Sequence, residues 1–221
     1  MTARTLFVTG TDTGVGKTAV AVDLIHALRG RGLRVAGMKP VAAGCEPGML
    51  NEDVAALMAA SNVDASLSCV NPYSFTPPIA PHIAAEQAGV QIDIAIIAQA
   101  HAQLARQADY VVVEGAGGWR VPLGAQTDMA DLAESLDSAV ILVVGMRLGC
   151  LNHALLSAEA ICAHGLPWAG WVANLMTPDM ASFEENLATL RARLPGPCLG
   201  VRPWRPGSGA GDQAWLNPPI D

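Results

Sequence analysis

With 221 residues, 51% of them hydrophobic, the chain carries enough apolar material for one substantial core, and a single domain is the default expectation. Acidic residues outnumber basic ones 20 to 13 and no Lys/Arg block runs along the chain, which excludes a nucleic-acid footprint and leaves any anion to a local constellation. Five cysteines, an odd number without CxxC spacing, fit reduced thiols; with no bilayer-length apolar run and no signal-like start, the expectation is a soluble cytoplasmic protein that meets neither membrane nor nucleic acid.

In chain order, an apolar run at 5–9 predicts the first strand, and the segment Gly10-Thr11-Asp12-Thr13-Gly14-Val15-Gly16-Lys17-Thr18 leads from it into a helix over 17–29. Strand, glycine-rich turn and helix together are the setting of a P-loop. Glycines let successive N–H groups converge on phosphate oxygens, the helix N-terminus adds partial positive charge, Lys17 neutralises the β/γ-phosphates and the Thr18 hydroxyl ligates Mg²⁺. The strict pattern places its first glycine at position 11, where this chain has Thr11 and the glycine is Gly10. ParA- and MinD-like ATPases carry a second loop lysine where Asp12 stands here, which argues against that subclass.

A strand over 34–38 ends at Lys39, and Pro40 favours extended backbone there, aiming the ammonium out of the sheet. Lysine is scarce, two residues against eleven arginines, so its placement at 17 and 39 points to a compact charge kept for phosphate chemistry. Asp53 opens a helix over 52–61, as a Mg²⁺-binding acid or as one that favours the helix start. The stretch 69–81, with four prolines, reads as a loop that shapes a pocket. A helix over 92–108 precedes a strand over 110–113 that ends in Glu114, a carboxylate positioned as the second metal anchor or as a surface acid at a turn. Further helices at 128–136, 152–164 and 182–194 alternate with strands at 139–144 and 168–173, and the Pro/Gly-rich tail from 195 reads as loop, either a flap or a frayed end.

Strands without polar alternation, separated by amphipathic helices, predict an α/β fold: one P-loop NTPase-type domain over 1–221, with a mostly parallel, doubly wound sheet and helices on both faces. Ligands in such folds collect at the carboxyl ends of the strands.

The segments Gly10 to Thr18, Gly37-Met38-Lys39-Pro40-Val41, Val70-Asn71-Pro72-Tyr73 with Pro81-His82-Ile83, Val113 to Trp119, Leu148-Gly149-Cys150-Leu151-Asn152-His153 and Ala169 to Asn174 together resemble the dethiobiotin synthetase family. The resemblance implies ATP- and Mg²⁺-dependent carboxylation and ring closure of 7,8-diaminononanoate with carbon dioxide or bicarbonate, through a carbamate and a carbamic–phosphoric anhydride, to a cyclic urea in biotin biosynthesis. It places Thr13, Lys17 and Lys39 at the transferring phosphoryl group and Thr18, Asp53 and Glu114 around the metal. Gly14, Val15, Gly16, Ala19, Gly115, Ala116 and Gly117 line the nucleotide and substrate, Asn174 with Leu175 meets the adenine, and Pro203, Trp204 and Arg205 close over it. Ala43 and Gly117 face the diamine, whose carboxylate falls to Gly149, Cys150, Leu151 and Asn152 from the partner subunit of a homodimer. The chain departs from the pattern at Ala43, where many relatives have serine, at Gly14, where an acid is frequent, and in the tail 207–221, where Asp212 is the nearest counterpart of the acid directed at the ribose. Two other classes remain at this point: a nucleotide-dependent switch, and an ATP-dependent amide ligase, whose relatives carry an added glutaminase domain.

Overall fold

In the computed structural model, which describes residues 3–46, 48–205 and 213–219, six strands form one sheet in which every pairing is parallel. The chain runs β1 (Arg4–Gly10), α1 (Lys17–Arg29), β2 (Val35–Met38), β3 (Val41–Ala43), α2 (Glu52–Ala60), α3 (Leu67–Val70), β4 (Tyr73–Phe75) and α4 (Pro81–Gln87). It continues through α5 (Ile94–Ala105), β5 (Tyr110–Gly118), α6 (Met129–Ser135), β6 (Ala139–Met146), α7 (Cys150–Ala163), β7 (Trp168–Leu175), α8 (Phe183–Arg193) and β8 (Cys198–Arg202). The sheet order is β2-β5-β1-β6-β7-β8, so the chain leaves β1 toward β2 on one side and β6 toward β7 on the other, and a crevice opens between the carboxyl ends of β1 and β6. The loop after β1 occupies that crevice.

The two faces of the sheet bury different helices. Leu24, Ile25 and Leu28 of α1 pack with Val8, Val112 and Ile141 on one face, and Ile97, Leu104, Leu132 and Ile161 pack with Phe7, Val113 and Trp171 on the other. Each such side chain contributes about 1.5–3 kcal/mol when fully removed from water. The expected α/β architecture with helices on both faces is therefore present. No helix among the described residues is long and apolar enough to cross a membrane.

Several boundaries differ from the sequence reading for local reasons. Strand β5 does not stop at Val113 but continues through Gly118, because β1 keeps pairing with it across an irregularity between Val8 and Gly10; Glu114 lies inside the strand. Asn174 likewise stays within β7, opposite Gly145 and Arg202. The proline-rich stretch 69–81 contains β4, which pairs with β3 in a separate two-stranded sheet, and its last proline starts α4, a first-turn position where the missing N–H costs nothing. The tail contains β8, a strand at the end of the sheet order that prolines at 197 and 203 concealed by bracketing it. Helix α7 starts two residues early, after Gly149 at φ 93°. Asp212 lies outside the described residues.

Candidate nucleotide and phosphoryl-transfer site

The loop between β1 and α1 is anchored on both flanks. The Thr11 N–H donates to the Val143 carbonyl at 3.0 Å, and Asp12 accepts from the Thr13 N–H at 2.7 Å while pairing with Arg147 at 2.5 Å. Gly16 ends the loop at φ 87°, and a Cβ built there falls 2.2 Å from Asn174 Nδ2, so both backbone conformation and space require glycine. Asn174 is the brace on that side: its Nδ2 donates to the Val15 carbonyl at 2.8 Å.

Lys17, at the start of α1, is buried and donates to the Asp12 carbonyl at 3.0 Å. Burial lowers its pKa to about 8, against the opposing pull of Glu114. Lys39 leaves β2 with its own carbonyl held by Asn71 Nδ2 at 2.7 Å, and its ammonium reaches Asp53 Oδ2 at 2.8 Å and Glu114 Oε1 at 2.5 Å. Burial disfavours that ammonium, yet the two carboxylates override it and hold the lysine above its ordinary range. For Glu114 complete burial wins over Lys39 and raises the carboxyl pKa, whereas Asp53, resisted by partial burial, is held below the usual carboxylate value by Lys39 and Thr18.

Thr18 Oγ1 lies 2.8 Å from Asp53 Oδ1 and 2.9 Å from Glu114 Oε1, so three oxygens from α1, α2 and β5 converge on one point. Glu114 Oε2 is buried without a hydrogen-bond partner among the described residues. An orphaned carboxylate oxygen beside a hydroxyl and a second carboxylate is a donor set that fits a hard divalent cation, and Mg²⁺ needs few protein oxygens because it keeps several waters. Asp53 is not the cap of its helix. Asn51 is, accepting from the Asp53 and Val54 N–H groups at 3.1 and 3.3 Å, which leaves the Asp53 carboxylate for the cavity.

These groups form the polar floor of a cavity of about 700 Å³, which Thr13, Gly14, Gly16, Ala43, Ala116 and Gly117 also line. The rest of the lining is apolar, a wall of Val41, Ala42, residues 78–81 and Val121. The wall, Asn51 and Asn71 were not among the sequence-derived site residues. The Asn-Pro-Tyr segment was noticed as a motif, but nothing local revealed that the Asn71 amide would hold Lys39. Val15, Ala19, Gly115, Asn174, Leu175, Pro203, Trp204, Arg205 and Gly149 to Asn152 lie outside this cavity. Within the last group the Cys150 N–H is engaged by the Arg147 carbonyl at 3.0 Å.

A floor with two ammonium groups, a glycine-rich anion cradle and a cation-type oxygen cluster suits transfer of a phosphoryl group to an acceptor lying along the apolar wall. A family model described as an AAA domain matches residues 4–211. The ATP-dependent dethiobiotin synthetase BioD of Nitrosospira multiformis is 55% identical over 210 residues, covering 95% of this chain and 92% of that protein. The protein of the same name from Pseudomonas aeruginosa strain UCBPP-PA14 is 55% identical over 201 residues, covering 89% and 88%. Among solved structures, the MinC:MinD complex of Aquifex aeolicus is similar at a TM-score of 0.55 and 18% identity, covering 92% of this chain and 83% of that one. The signal recognition particle 54 kDa protein of Aeropyrum pernix, at 0.54 and 18%, covers 99% of this chain and 44% of its own; both likenesses speak to the fold alone. Near-complete overlap above half identity with enzymes of one name, together with a cavity equipped for phosphoryl transfer, establishes that the chain belongs to the ATP-dependent dethiobiotin synthetase family.

Proposed function

We propose that the chain closes the cyclic urea of dethiobiotin from 7,8-diaminononanoate, carbon dioxide and ATP. One amine takes up carbon dioxide as a carbamate; a carbamate oxygen attacks the γ-phosphorus and ADP leaves; the second amine attacks the carbamic carbon and phosphate departs. The observation that carries this reading is one cavity whose lining brings two ammonium groups and a carboxylate–hydroxyl cluster together with a run of apolar side chains. Lys17 and Lys39 stand where charge builds on the transferring group, and Val41, Ala42 and residues 78–81 suit an aliphatic diamine chain.

Lys17 binds the β/γ-phosphates once its ammonium leaves the Asp12 carbonyl, and Lys39 stabilises the equatorial oxygens in transfer. Thr13 hydrogen-bonds the γ-phosphate. Thr18, Asp53 and Glu114 would hold Mg²⁺, which would supply neutralisation of phosphate charge. Holding the second amine beside the anhydride makes closure unimolecular, with a large effective concentration, and the apolar wall keeps water from competing. Asn174 offers its amide to adenine, with residues 203–205 closing over the ring, and Asn174 Oδ1, buried without a partner among the described residues, is an acceptor still to be used.

The active unit is a homodimer in which the turn before α7 receives the diamine carboxylate from the neighbouring copy. Leu148 beside that turn is fully exposed and Leu156 on α7 is half-exposed, an apolar surface consistent with a second copy. The five free cysteines suit a reducing cytoplasm. Incubating the purified protein with the diamine, bicarbonate, Mg²⁺ and ATP is expected to yield the cyclic urea, detected by mass, and one phosphate per product. Phosphate release that ignores the diamine would overturn the assignment.

A further inference from the structure

A buried ion pair lies outside the phosphate site and has no part in the chemistry above. Arg202, 5% exposed at the end of β8, donates its Nε–H to Asp23 Oδ2 at 2.8 Å. Asp23 sits in the middle of α1 with no exposed surface, and its second oxygen has no partner among the described residues. The two residues are 179 positions apart, and they join the helix that springs from the phosphate loop to the last strand of the sheet.

The position of this pair matters more than its energy. Burying two charges costs desolvation that well-packed apolar residues of similar volume avoid, so an ion pair here is poorly explained by stability; what it supplies is a directional registry between α1 and β8. Strand β8 pairs with β7 along its length, and its other edge is held in its middle by the Gly200–Leu216 bridge and by the Asn217 N–H donating to the Leu199 carbonyl at 2.7 Å, so beyond β7 the pair with Asp23 is the side-chain tie at its end. Arg202 lies opposite Asn174 in the β7–β8 register, and Asn174 is itself braced on the Val15 carbonyl. Two neighbouring side chains therefore tie this corner of the sheet to the loop and its helix. The residues that follow Arg202 are Pro203 and Trp204, with Trp204 40% exposed.

We propose that Asp23 and Arg202 are positioning residues for the nucleotide base: their pair aims the end of β8 so that residues 203–205 stand over the adenine of a nucleotide whose phosphates lie on the loop before α1. This rests on the reading that residues 203–205 close over the base. Neither residue lines the cavity that holds Lys17 and Lys39, so the pair acts on the part of the affinity that the base contributes.

The test compares ATP with inorganic tripolyphosphate, which offers the loop a phosphate chain and no base, by calorimetry in the presence of Mg²⁺. Arg202→Met and Asp23→Asn each strand a buried group and can unfold, so the double variant Asp23→Leu with Arg202→Met, apolar on both sides, is the principal one, its fold checked by thermal melting. If losing the pair leaves the segment competent about a tenth of the time, ATP affinity falls about tenfold while tripolyphosphate affinity and the rate at saturating ATP stay within about twofold. Equal weakening of both ligands, or no change in either, would overturn the proposal. Trp204→Ala in the unaltered background separates the two readings. If it leaves ATP affinity intact, the base assignment itself fails and this inference falls with it. If it weakens ATP while the double variant does not, only the role of the pair fails.

Discussion

Lys39 and Glu114 meet as an ion pair inside the sheet edge, the ammonium shared with Asp53 and the carboxylate 1% exposed. Lys39 thus neutralises a buried charge in the resting protein, besides the role at the transferring phosphoryl group proposed for it. Removing it strands Glu114, and breaking a buried pair from one side typically costs about 3–5 kcal/mol. Lys39→Gln is therefore expected to lower the thermal midpoint and to slow the chemical step by about two to three decades, with ATP still bound. Adding Glu114→Gln should recover the midpoint but not the rate. Melting curves and single-turnover kinetics separate the two effects. A single variant as stable as the parent would deny the structural half, and lost ATP affinity at an unchanged maximal rate would move Lys39 to nucleotide binding.

At the start of α2, two neighbouring polar residues have divided the work. Asn51 caps the helix, and Asp53 turns to Thr18 and Lys39. Asn51→Ala should cost about 1 kcal/mol of stability and leave the Mg²⁺ titration of activity near that of the parent. Asp53→Asn should shift that titration to higher Mg²⁺, since a hard cation prefers a charged oxygen to an amide. Equal titrations for the two variants would return Asp53 to a structural role.

The legible parts of the sequence were those whose physics is local. Five apolar strands, six helices and the Gly-Lys-Thr turn are written in consecutive residues, and the scarcity of lysine singled out 17 and 39. What stayed hidden depends on partners distant in the chain. Nothing near Glu114 tells that β1 will extend β5 past it, and the five residues of β8 read as loop between prolines until β7 is beside them. Asp53 was ambiguous because acids favour helix starts in general; only the fold shows Asn51 occupying the cap. The Asp23–Arg202 pair was invisible for the same reason, its halves lying on the second and the last elements of the chain.

His101 on α5 gives a pH dependence remote from the site. Its Nε2 lies 3.0 Å from Thr5 Oγ1, and burial lowers its pKa. The folded state thus prefers neutral imidazole, while the unfolded chain binds a proton near pH 6.5. The stability due to His101 is complete above that value and is lost as pH falls through the depressed folded pKa, at up to about 1.4 kcal/mol per pH unit within the window. Urea midpoints measured from about pH 7.5 down to about pH 5 should fall more steeply for the parent than for His101→Gln, which keeps a partner for Thr5 without titrating. Parallel slopes would show that the imidazole is accessible to protons in the folded state.

The turn before α7 carries the last expectation. Gly149 holds φ 93° and the helix has no side-chain cap, so its first turn relies on backbone alone. The Cys150 N–H is already spent on the Arg147 carbonyl, which leaves the N–H groups of Leu151 and Asn152, free of i−4 partners by helix geometry, to meet an anion. If a neighbouring copy presents its bound diamine there, the helix N-terminus receives the carboxylate without an arginine, and the fully exposed Leu148 packs in the interface. A diamine lacking the carboxylate should then bind at least about tenfold more weakly, the loss of one charge-assisted contact of about 1.4 kcal/mol or more, with ATP affinity unchanged. Leu148→Asp should shift sedimentation from dimer toward monomer and reduce turnover in step. A fully active monomer, or equal turnover of the decarboxylated diamine, would remove the carboxylate from this turn and confine the active site to one chain.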